Sequence, residues 1–286
     1  MQLTFIDYNL LRLQNNTLLI SDCGATKITS KRLHAALIEL KATGKKSIDT
    51  DELNQIFTNN KLPTKNTKHF LESVINLKAA PDNPYYEKTI ILHDWPVKGE
   101  LEAIASQELN AEHAFFYNDN ALIEESKNGA KFIKIINMQY DYSRIKNLYF
   151  KLLRLAPASA ISVSYLTGKI FHVGQPYINE LGNPCHFCII DRQLNYEQRN
   201  PSRNSWTALM RFCHDQNIAS PSQQLNLLQR NLAAGAILRK ISLHTEYDVG
   251  RRFQDNAVST TSVDLDTGTL TEEIVSHWHS CDCLRT

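Results

Sequence analysis

The chain has 286 residues, enough for one large domain or two, and 42% of them are apolar, which allows a packed core. Its 31 basic and 30 acidic residues are balanced and give no overall signature of nucleic-acid binding. The N-terminus lacks a signal-peptide layout, and no apolar run approaches the ~20 residues of a membrane helix. We therefore expect a cytoplasmic protein with no membrane contact, whose cysteines are thiols or metal ligands rather than disulfides.

Residues 1–80 predict a small domain of short strands followed by three helices. Thr17–Ser21 is the best strand, and Asn15 and Asn16 suit a tight hairpin turn before it. The first helix is predicted after a cap at Thr29 or Ser30, the second after a cap at Asp49, and the third after Pro63. This order predicts a winged-helix-like module.

Such a module has two uses. It can read DNA with its third helix, or accept an extended peptide as an added strand beside its sheet. Residues 1–80 hold 11 Lys and Arg against 7 Asp and Glu. This excess is modest for a protein that must neutralise several phosphates, and it also fits a solvated basic surface.

Two prolines in the segment 79–84 predict a linker. Residues 85–286 then alternate strands with helices, which predicts an α/β domain with parallel strands. The predicted strands are 89–92, 113–117, 131–136, 160–165 and 169–173. The predicted helices are 97–109, 141–155, 205–214 and one from Ser220 towards residue 243. A C-terminal hairpin is predicted from 258–265 and 270–278.

Two close cysteine pairs are the most specific signal in the chain. Cys185 and Cys188 form a C-x-x-C motif, and Cys281 and Cys283 form a C-x-C motif after 92 intervening residues. Four thiolates complete a tetrahedral zinc site without an open position, so we expect a structural metal. The alternatives are a redox pair, two disulfides or four buried thiols.

The remaining cysteines and the nearby histidines are expected to be structural. Cys23 and Cys213 are interpreted as ordinary core thiols. His186, His277 and His279 could each replace a thiolate, but we expect them beside the metal or in packing, because four sulfurs already fill the site.

The motifs of common enzymes are absent from the sequence. It contains no G-x-G-x-x-G or G-x-x-x-x-G-K-[ST] loop for a nucleotide, no G-x-S-x-G and no H-E-x-x-H. Asp94, Asp141 and Asp191 follow strands or the cysteine motif, where a lone carboxylate is more often a helix cap than a base. We predict no catalytic residue and no nucleotide bound by this chain.

The chain resembles the McbB family, the B subunits of synthetases that install thiazoles and oxazoles in microcin-type peptides. The resemblance lies in Leu181-Gly182-Asn183-Pro184-Cys185-His186-Phe187-Cys188, in His277-Trp278-His279-Ser280-Cys281-Asp282-Cys283, and in Asn204-Ser205-Trp206. It implies an N-terminal winged-helix peptide clamp, called a RiPP recognition element. A domain similar to ThiF and the ubiquitin-activating enzymes would follow, with a four-cysteine zinc site.

The resemblance also implies site residues. The zinc ligands would be Cys185, Cys188, Cys281 and Cys283. In the family the clamp binds the leader of a precursor peptide along its third strand and third helix. These positions map onto Asn16, Thr17, Leu18, Leu19, Ile20 and Ser21, and onto Lys65, Lys68, His69 and Glu72.

The implied role is a scaffold that is not catalytic alone. It would present core Cys and Ser residues of the precursor to a YcaO-type cyclodehydratase, which uses ATP and Mg²⁺, and to an FMN-dependent dehydrogenase. It leaves room for a homodimer of this chain within the complex. The alternatives are a zinc-containing winged-helix DNA-binding regulator and an adenylating ThiF-like enzyme.

Overall fold

The structure is a computed structural model that describes most of the chain. The described residues are 2–13, 16–44, 47–79, 86–109, 112–203, 205–245 and 257–284. Within these ranges no helix is both long and apolar enough to span a membrane. The chain divides into an N-terminal unit, Met1–Asn83, and a C-terminal unit, Pro84–Thr286. The predicted linker spans this division, but its residues 80–84 lie outside the described part.

The N-terminal unit combines two small sheets with three helices. Its elements are β1 (Gln2–Thr4), β2 (Tyr8–Leu13), β3 (Asn16–Ser21), β4 (Gly24–Ile28), α1 (Lys31–Ala42), β5 (Ser47–Asp49), α2 (Thr50–Asn59), α3 (Thr64–Val74) and β6 (Lys78–Ala79). Strands β2, β3 and β4 form one antiparallel sheet in that order, and β1 lies between β5 and β6 in the other. The three predicted helices are confirmed.

Polar caps start the first two helices where the sequence predicts them. The Ser30 hydroxyl accepts a hydrogen bond from the Leu33 N–H at 3.3 Å at the start of α1. The Asp49 carboxylate accepts one from the Asp51 N–H at 2.8 Å at the start of α2. These side chains satisfy N–H groups that have no partner inside the helix.

A single apolar core joins these helices to the inner face of the β2–β3–β4 sheet. Leu19, at the centre of β3, has no exposed surface. The Tyr8 hydroxyl donates a hydrogen bond to the Leu37 carbonyl at 2.6 Å, and the Ser21 hydroxyl donates one to the Val74 carbonyl at 2.5 Å. These bonds tie the sheet to α1 and to the end of α3.

The C-terminal unit is built on an eight-stranded mixed sheet. Its elements are β7 (Lys88–His93), α4 (Glu100–Glu108), β8 (His113–Phe116), α5 (Asp119–Ser126), β9 (Lys131–Asn137), α6 (Tyr142–Leu155), β10 (Ala160–Thr167), β11 (Ile170–Val173), β12 (Tyr177–Ile178), α7 (His186–Arg199), α8 (Trp206–Gln216), α9 (Leu227–Thr245), β13 (Ser259–Asp264), β14 (Leu270–Ile274) and a 3₁₀ turn, Asp282–Leu284. The strand order is β14-β13-β11-β10-β9-β7-β8, and β12 also pairs with β10. Strands β8, β7, β9 and β10 are parallel, which confirms the predicted α/β class.

Helices cover both faces of this sheet. Successive side chains along its central strands therefore point into two different apolar cores. Along β9, Ile133 and Ile135 face the core shared with α5, α6 and α7. Phe132 and Ile136 face the core shared with α4 and α9. Strands with both faces covered carry apolar residues on both faces, as β9 does.

The predicted start of the last helix at Ser220 is wrong. The Ser220 N–H donates to the Tyr140 carbonyl, and the Ser220 hydroxyl accepts from the Tyr140 N–H, so this segment pairs with the loop after β9. Helix α9 instead starts after Asn226, whose carboxamide oxygen accepts from the Gln229 N–H while the Gln229 side chain accepts from the Asn226 N–H. This reciprocal pair is a capping box, and Pro221 lies outside the helix.

Further differences concern secondary-structure elements and one thiol. Helices α5 and α7 and the strands β4, β5, β6 and β12 lie outside the predicted elements. The prediction that Cys23 is a core thiol is wrong, because it is exposed in the two-residue turn between β3 and β4. Cys213 is buried in α8, as predicted.

Candidate metal centre and peptide-binding edge

Four cysteines from two distant segments meet in the C-terminal unit. Cys185 precedes the first residue of α7, and Cys188 lies in its first turn. Cys281 and Cys283 lie in the C-terminal turn of the chain. All four are buried, and their sulfur atoms lie within 4.8 Å of one another. The structure therefore brings together the four predicted ligands in an arrangement that could hold a metal ion.

The sulfur separations fit a tetrahedral ion. Sγ of Cys185 lies 4.0 Å from that of Cys188 and 3.4 Å from that of Cys281, and the Cys188 and Cys283 sulfurs are 3.6 Å apart. Four sulfurs about 2.3 Å from a central zinc ion lie about 3.8 Å from one another. All four cysteines are free, so the disulfide alternative does not describe this site.

Electrostatics explain why the cluster favours a cation. Hydrogen bonds from Cys185, Cys281 and Cys283 hold the pKa of the Cys188 thiol below its ordinary value. The pKa of Cys185 is raised by its hydrogen bonds to Cys188, Cys281 and Cys283. The pKa of Cys283 is also lowered, and that of Cys281 is raised, so two thiolates are stabilised at the expense of the other two thiols. A divalent cation would allow all four to ionise, and the N-terminus of α7 also favours negative charge there.

Two side chains fasten the C-terminal segment beside the cysteines. The Arg192 guanidinium on α7 donates to the Ser276 and His277 carbonyls, the latter at 3.1 Å. His277 lies between the Gly182 carbonyl, 2.9 Å from Nε2, and the Cys188 sulfur, 3.8 Å from Nδ1. Burial alone would lower the pKa of His277, but the bonds to Cys188 and Gly182 raise it on balance. His277 therefore supports a cysteine, as expected, rather than replacing one.

An ion pair holds the C-x-C motif against α6. Lys146 Nζ lies 2.9 Å from the carboxylate of Asp282, the residue between the two cysteines, and 3.7 Å from that of Asp191. The Tyr142 hydroxyl donates to Asp191 at 2.7 Å. Burial raises the pKa of Asp191, but its oxygens are already engaged in this network. Asp191 therefore binds side chains of α6 from within α7, and it does not cap a helix as the sequence predicts.

The other two histidines near the motifs do not reach the sulfurs. Nε2 of the buried His186 lies 2.8 Å from the Tyr140 hydroxyl. His279 is exposed and packs its ring on Trp278, with 4.3 Å between ring centroids. Both act in packing, as expected.

Strand β3, predicted to bind the peptide, is the middle strand of its sheet. Its residues pair with β2 on one side and with β4 on the other. In antiparallel sheets successive residues bond alternately to the two neighbours, so β3 has no free main-chain edge. Thr17 and Leu19 are moreover buried beneath the sheet. A strand added directly beside β3 would displace one of its neighbours.

Among the described residues, the open main-chain edge of this sheet belongs to β4. With a two-residue turn, the hydrogen-bonded pairs of the β3–β4 hairpin are Ser21–Gly24, Leu19–Thr26 and Thr17–Ile28. The N–H and C=O groups of Ala25 and Lys27 therefore point away from β3, and both residues are exposed. The opposite edge, on β2, is partly occupied, because Lys41 Nζ donates to the Tyr8 carbonyl at 2.7 Å.

The predicted residues of α3 lie on its outer face. Lys65, His69 and Glu72 are exposed, and Lys68 is half-buried. His69 Nδ1 lies 3.4 Å from the Glu72 carboxylate, one helical turn away. Other residues of α3 form its buried face, so these four side chains are available for a ligand.

The crevice where a doubly wound sheet usually binds its ligand is filled by protein groups. It lies at the ends of β7 and β9, where the strand order reverses. There the Asp94 carboxylate accepts hydrogen bonds from the N–H groups of Met138 at 2.6 Å and Gln139 at 3.1 Å. Asp141 caps α6 by accepting from the Arg144 N–H at 2.9 Å. Asp141 is therefore the helix cap that the sequence predicts, whereas Asp94 bonds to the loop after β9 and caps no helix.

A carboxylate also occupies the first turn of α4, where a nucleotide phosphate would approach. Glu100 accepts hydrogen bonds from the Arg230 guanidinium at 2.7 and 3.0 Å and from the Trp95 indole at 2.8 Å. The Arg230 contact holds the pKa of Glu100 below its ordinary value, so it stays charged. An anionic ligand would meet this negative charge rather than a glycine-rich loop.

Comparisons with known proteins match nearly the whole chain. The family model described as Microcin B17-processing protein McbB matches residues 3–285. The Microcin B17-processing protein McbB of Escherichia coli is 26% identical over 287 residues, which cover 99% of this chain and 95% of that protein.

Solved structures show the same fold. A chain of the E. coli microcin synthetase McbBCD complex with pro-MccB17 bound has a TM-score of 0.78 and 24% identity, covering 99% of this chain and 100% of that one. A chain of the McbBCD complex described without the precursor has a TM-score of 0.53, 22% identity and coverage of 98% and 99%. A heterocyclase in complex with substrate and cofactor has a TM-score of 0.52 and 9% identity, covering 96% of this chain but 38% of that one.

Proposed function

Because the chain belongs to the family of microcin B17-processing proteins McbB, we propose that it is a scaffold subunit of a thiazole and oxazole synthetase. It binds the leader of a ribosomally made precursor and presents the core Cys and Ser residues to the catalytic subunits. Those subunits are a YcaO-type ATP-dependent cyclodehydratase and an FMN-dependent dehydrogenase. The E. coli relative supports this role, since its fold was solved in a synthetase complex with pro-MccB17 bound.

The leader binds in the N-terminal unit, which acts as the winged-helix-like clamp. The observation that carries this proposal is the open main-chain edge of β4. An extended peptide beside it would gain main-chain hydrogen bonds from Ala25 and Lys27, whatever its own sequence. β4 is the third strand of the β2–β3–β4 sheet, so it replaces β3 as the strand expected to bind the leader. The exposed face of α3 supplies further side-chain contacts.

The C-terminal unit is the ThiF-like domain, and zinc is its structural metal. The soft sulfur donors, their closed arrangement and their spacing fit zinc held by Cys185, Cys188, Cys281 and Cys283. Bound there, zinc supplies no open coordination position for chemistry. The four residues tie the C-terminal segment to the start of α7. Lys146 binds Asp282 in this segment, and Arg192 binds the His277 carbonyl.

Tethering explains how such a scaffold promotes a reaction it does not catalyse. Once the leader is held, the core peptide reaches the active sites of the partner subunits at a high effective concentration. The adenylating alternative is disfavoured, because Glu100 and Asp94 fill the crevice that a nucleotide would need. ATP, Mg²⁺ and FMN therefore belong to the partner subunits.

The leader proposal is tested with proline at the two edges of the sheet. The fluorescently labelled leader of the short precursor encoded beside this gene is titrated with the full chain, and binding is followed by anisotropy. Ala25→Pro removes an N–H that faces outward from β4 and leaves the β3–β4 ladder intact. We expect it to weaken leader binding at least about tenfold, which corresponds to the loss of one to two main-chain bonds.

Arg12→Pro is the matched control. It removes the corresponding outward N–H at the β2 edge of the same sheet, and we expect little change in affinity. Equal thermal stability of the two variants excludes unfolding as the cause. Loss of binding in Arg12→Pro alone would place the leader at β2. If the wild-type chain does not bind the leader, even with the partner subunits present, the scaffold proposal fails. Duplex DNA is run in parallel, because salt-dependent binding of it would favour the regulator alternative.

A further inference from the structure

One lysine stands on the edge that the leader is proposed to use. We propose that Lys27 makes this edge selective for leaders that place an acidic residue opposite it. This inference rests on the proposed function, since it names the class of peptide that the clamp accepts. It follows from the register of β4, the exposure of Lys27 and the side chains beside it.

The register fixes where the Lys27 side chain points. Thr26 and Ile28 share the inner face with Leu19, so Ala25 and Lys27 share the outer face. The main-chain groups of Lys27 point to the open edge. The residue of an added strand that pairs with Lys27 therefore lies directly opposite it, on the same face and about 4.5–5.5 Å away.

The charge of Lys27 is available to that residue. Lys27 is exposed, and no carboxylate among the described residues pairs with its ammonium group. Edge strands often carry lysine because its charge deters pairing with arbitrary strands. The Lys27 ammonium group attracts a strand with a carboxylate at this position, and it repels a strand with a basic residue there. Lys27 therefore selects for an acidic residue among peptides that the main chain alone would not distinguish.

The neighbouring side chains specify a second position. Leu18 and Leu11 lie in the same cross-strand row as Lys27, and Ile20 lies in the row of Ala25. Leu11 is 48% exposed and Ile20 is 39% exposed, so the outer face beside β4 is apolar. The leader residue two positions from the acidic one falls beside Ala25 and Ile20. The favoured peptide is an extended segment with an acidic residue and an apolar residue two positions apart on one face.

A charge swap tests this assignment. In the leader of the precursor encoded beside this gene, each Asp and Glu is replaced in turn by Lys. Each variant is titrated by anisotropy against the wild-type chain and against Lys27→Glu. Replacing an attractive cross-strand pair by a repulsive one should weaken wild-type leader binding about tenfold in Lys27→Glu. One lysine-substituted leader should bind the wild type equally weakly and recover most of the affinity with Lys27→Glu.

Lys151→Glu is the matched control, because Lys151 is exposed on α6 in the C-terminal unit and its reversal changes the net charge equally. It should bind every leader as the wild type does. Two results would contradict the inference. Lys27→Glu could bind the wild-type leader as tightly as the wild-type chain does, or no substituted leader could regain affinity for Lys27→Glu. In either case Lys27 does not select among peptides. Absence of leader binding to the wild-type chain is a different result, which overturns the proposed function itself.

Discussion

The two units of the chain bury different kinds of side chain. In the N-terminal unit the described buried residues are apolar apart from Thr17 and Thr67. The C-terminal unit buries Lys134, His244 and the four clustered cysteines among its apolar residues. Lys134 has no exposed surface, and burial lowers its pKa well below the ordinary value. The first core consists almost entirely of apolar side chains, whereas the second also depends on the charge state of its interior.

This difference implies that peptide binding and metal-dependent stability belong to different units. The N-terminal unit needs no metal for its core, and its free surface is an open strand edge with an exposed lysine. The C-terminal unit uses four thiols to fasten the end of the chain. We therefore expect metal and pH to control the C-terminal unit, and peptide binding to depend on the N-terminal unit.

The largest expected effect is the loss of a metal ligand. Cys188→Ser replaces a sulfur that can ionise with a hydroxyl that stays protonated, so the site loses its fourth ligand. We expect the zinc content to fall from about one per chain to near zero, and the C-terminal unit to lose about 4 kcal/mol or more of unfolding free energy. Elemental analysis gives the metal content. Tryptophan fluorescence reports unfolding of this unit alone, because Trp95, Trp206 and Trp278 all lie in it.

Cys213→Ser makes the same atomic change at a buried cysteine outside the cluster. It should retain zinc and lose only about 1–2 kcal/mol. If Cys188→Ser keeps its zinc and its melting temperature, the four cysteines do not form the metal site.

The next effect concerns the core of the N-terminal unit. Leu19→Ala removes a side chain with no exposed surface, which typically costs about 2–5 kcal/mol through lost burial and the cavity left behind. Unfolding is followed by circular dichroism, and tryptophan fluorescence should not change. Ile20→Ala, at the exposed neighbouring position, should cost less than about 1 kcal/mol. A zinc chelator that lowered the stability of the N-terminal unit would break the comparison between the units.

The smallest effect is a dependence on pH in the C-terminal unit. His172 lies 2.8 Å from the Thr167 hydroxyl and 2.9 Å from the Ser262 hydroxyl, and burial lowers its pKa to about 4. In the unfolded chain its pKa is about 6.5, so the unfolded state binds the proton first as the pH falls. Stability should therefore fall between pH 6.5 and pH 4, by at most about 1.4 kcal/mol per pH unit for this residue.

Fluorescence-detected unfolding at each pH measures this slope. His172→Gln keeps a group that can bond both hydroxyls and removes the titration, so its slope should be shallower. A slope unchanged in His172→Gln would assign the pH dependence to other residues.

The cysteine cluster could be predicted because each cysteine pair is local in sequence. The spacings of Cys185 with Cys188 and of Cys281 with Cys283 constrain where their sulfurs can lie, whatever the fold between them. Helix α7 lies outside the predicted elements. The apolar positions Phe187, Ile190 and Leu194 have the helical spacing that could have revealed it.

The open strand edge that we propose for peptide binding could not be predicted in the same way. The family resemblance assigns the leader to Asn16–Ser21, the segment with the clearest strand pattern. A strand open to a ligand is short and polar, as Gly24–Ile28 is, and only its pairing with β3 identifies it. The false helix start at Ser220 has a similar cause, since a distant partner, Tyr140, takes the hydrogen bonds that a helix would use.

Hydrogen–deuterium exchange of the full chain, with and without the leader, tests the central claim most directly. The N–H groups of Ala25 and Lys27 face the open edge and should exchange rapidly in the free protein. We expect the leader to protect them, to leave the β2 edge unchanged, and to leave the cysteine cluster unchanged. Saturating leader that protects the C-terminal unit or β2 while β4 exchanges as before would contradict the account.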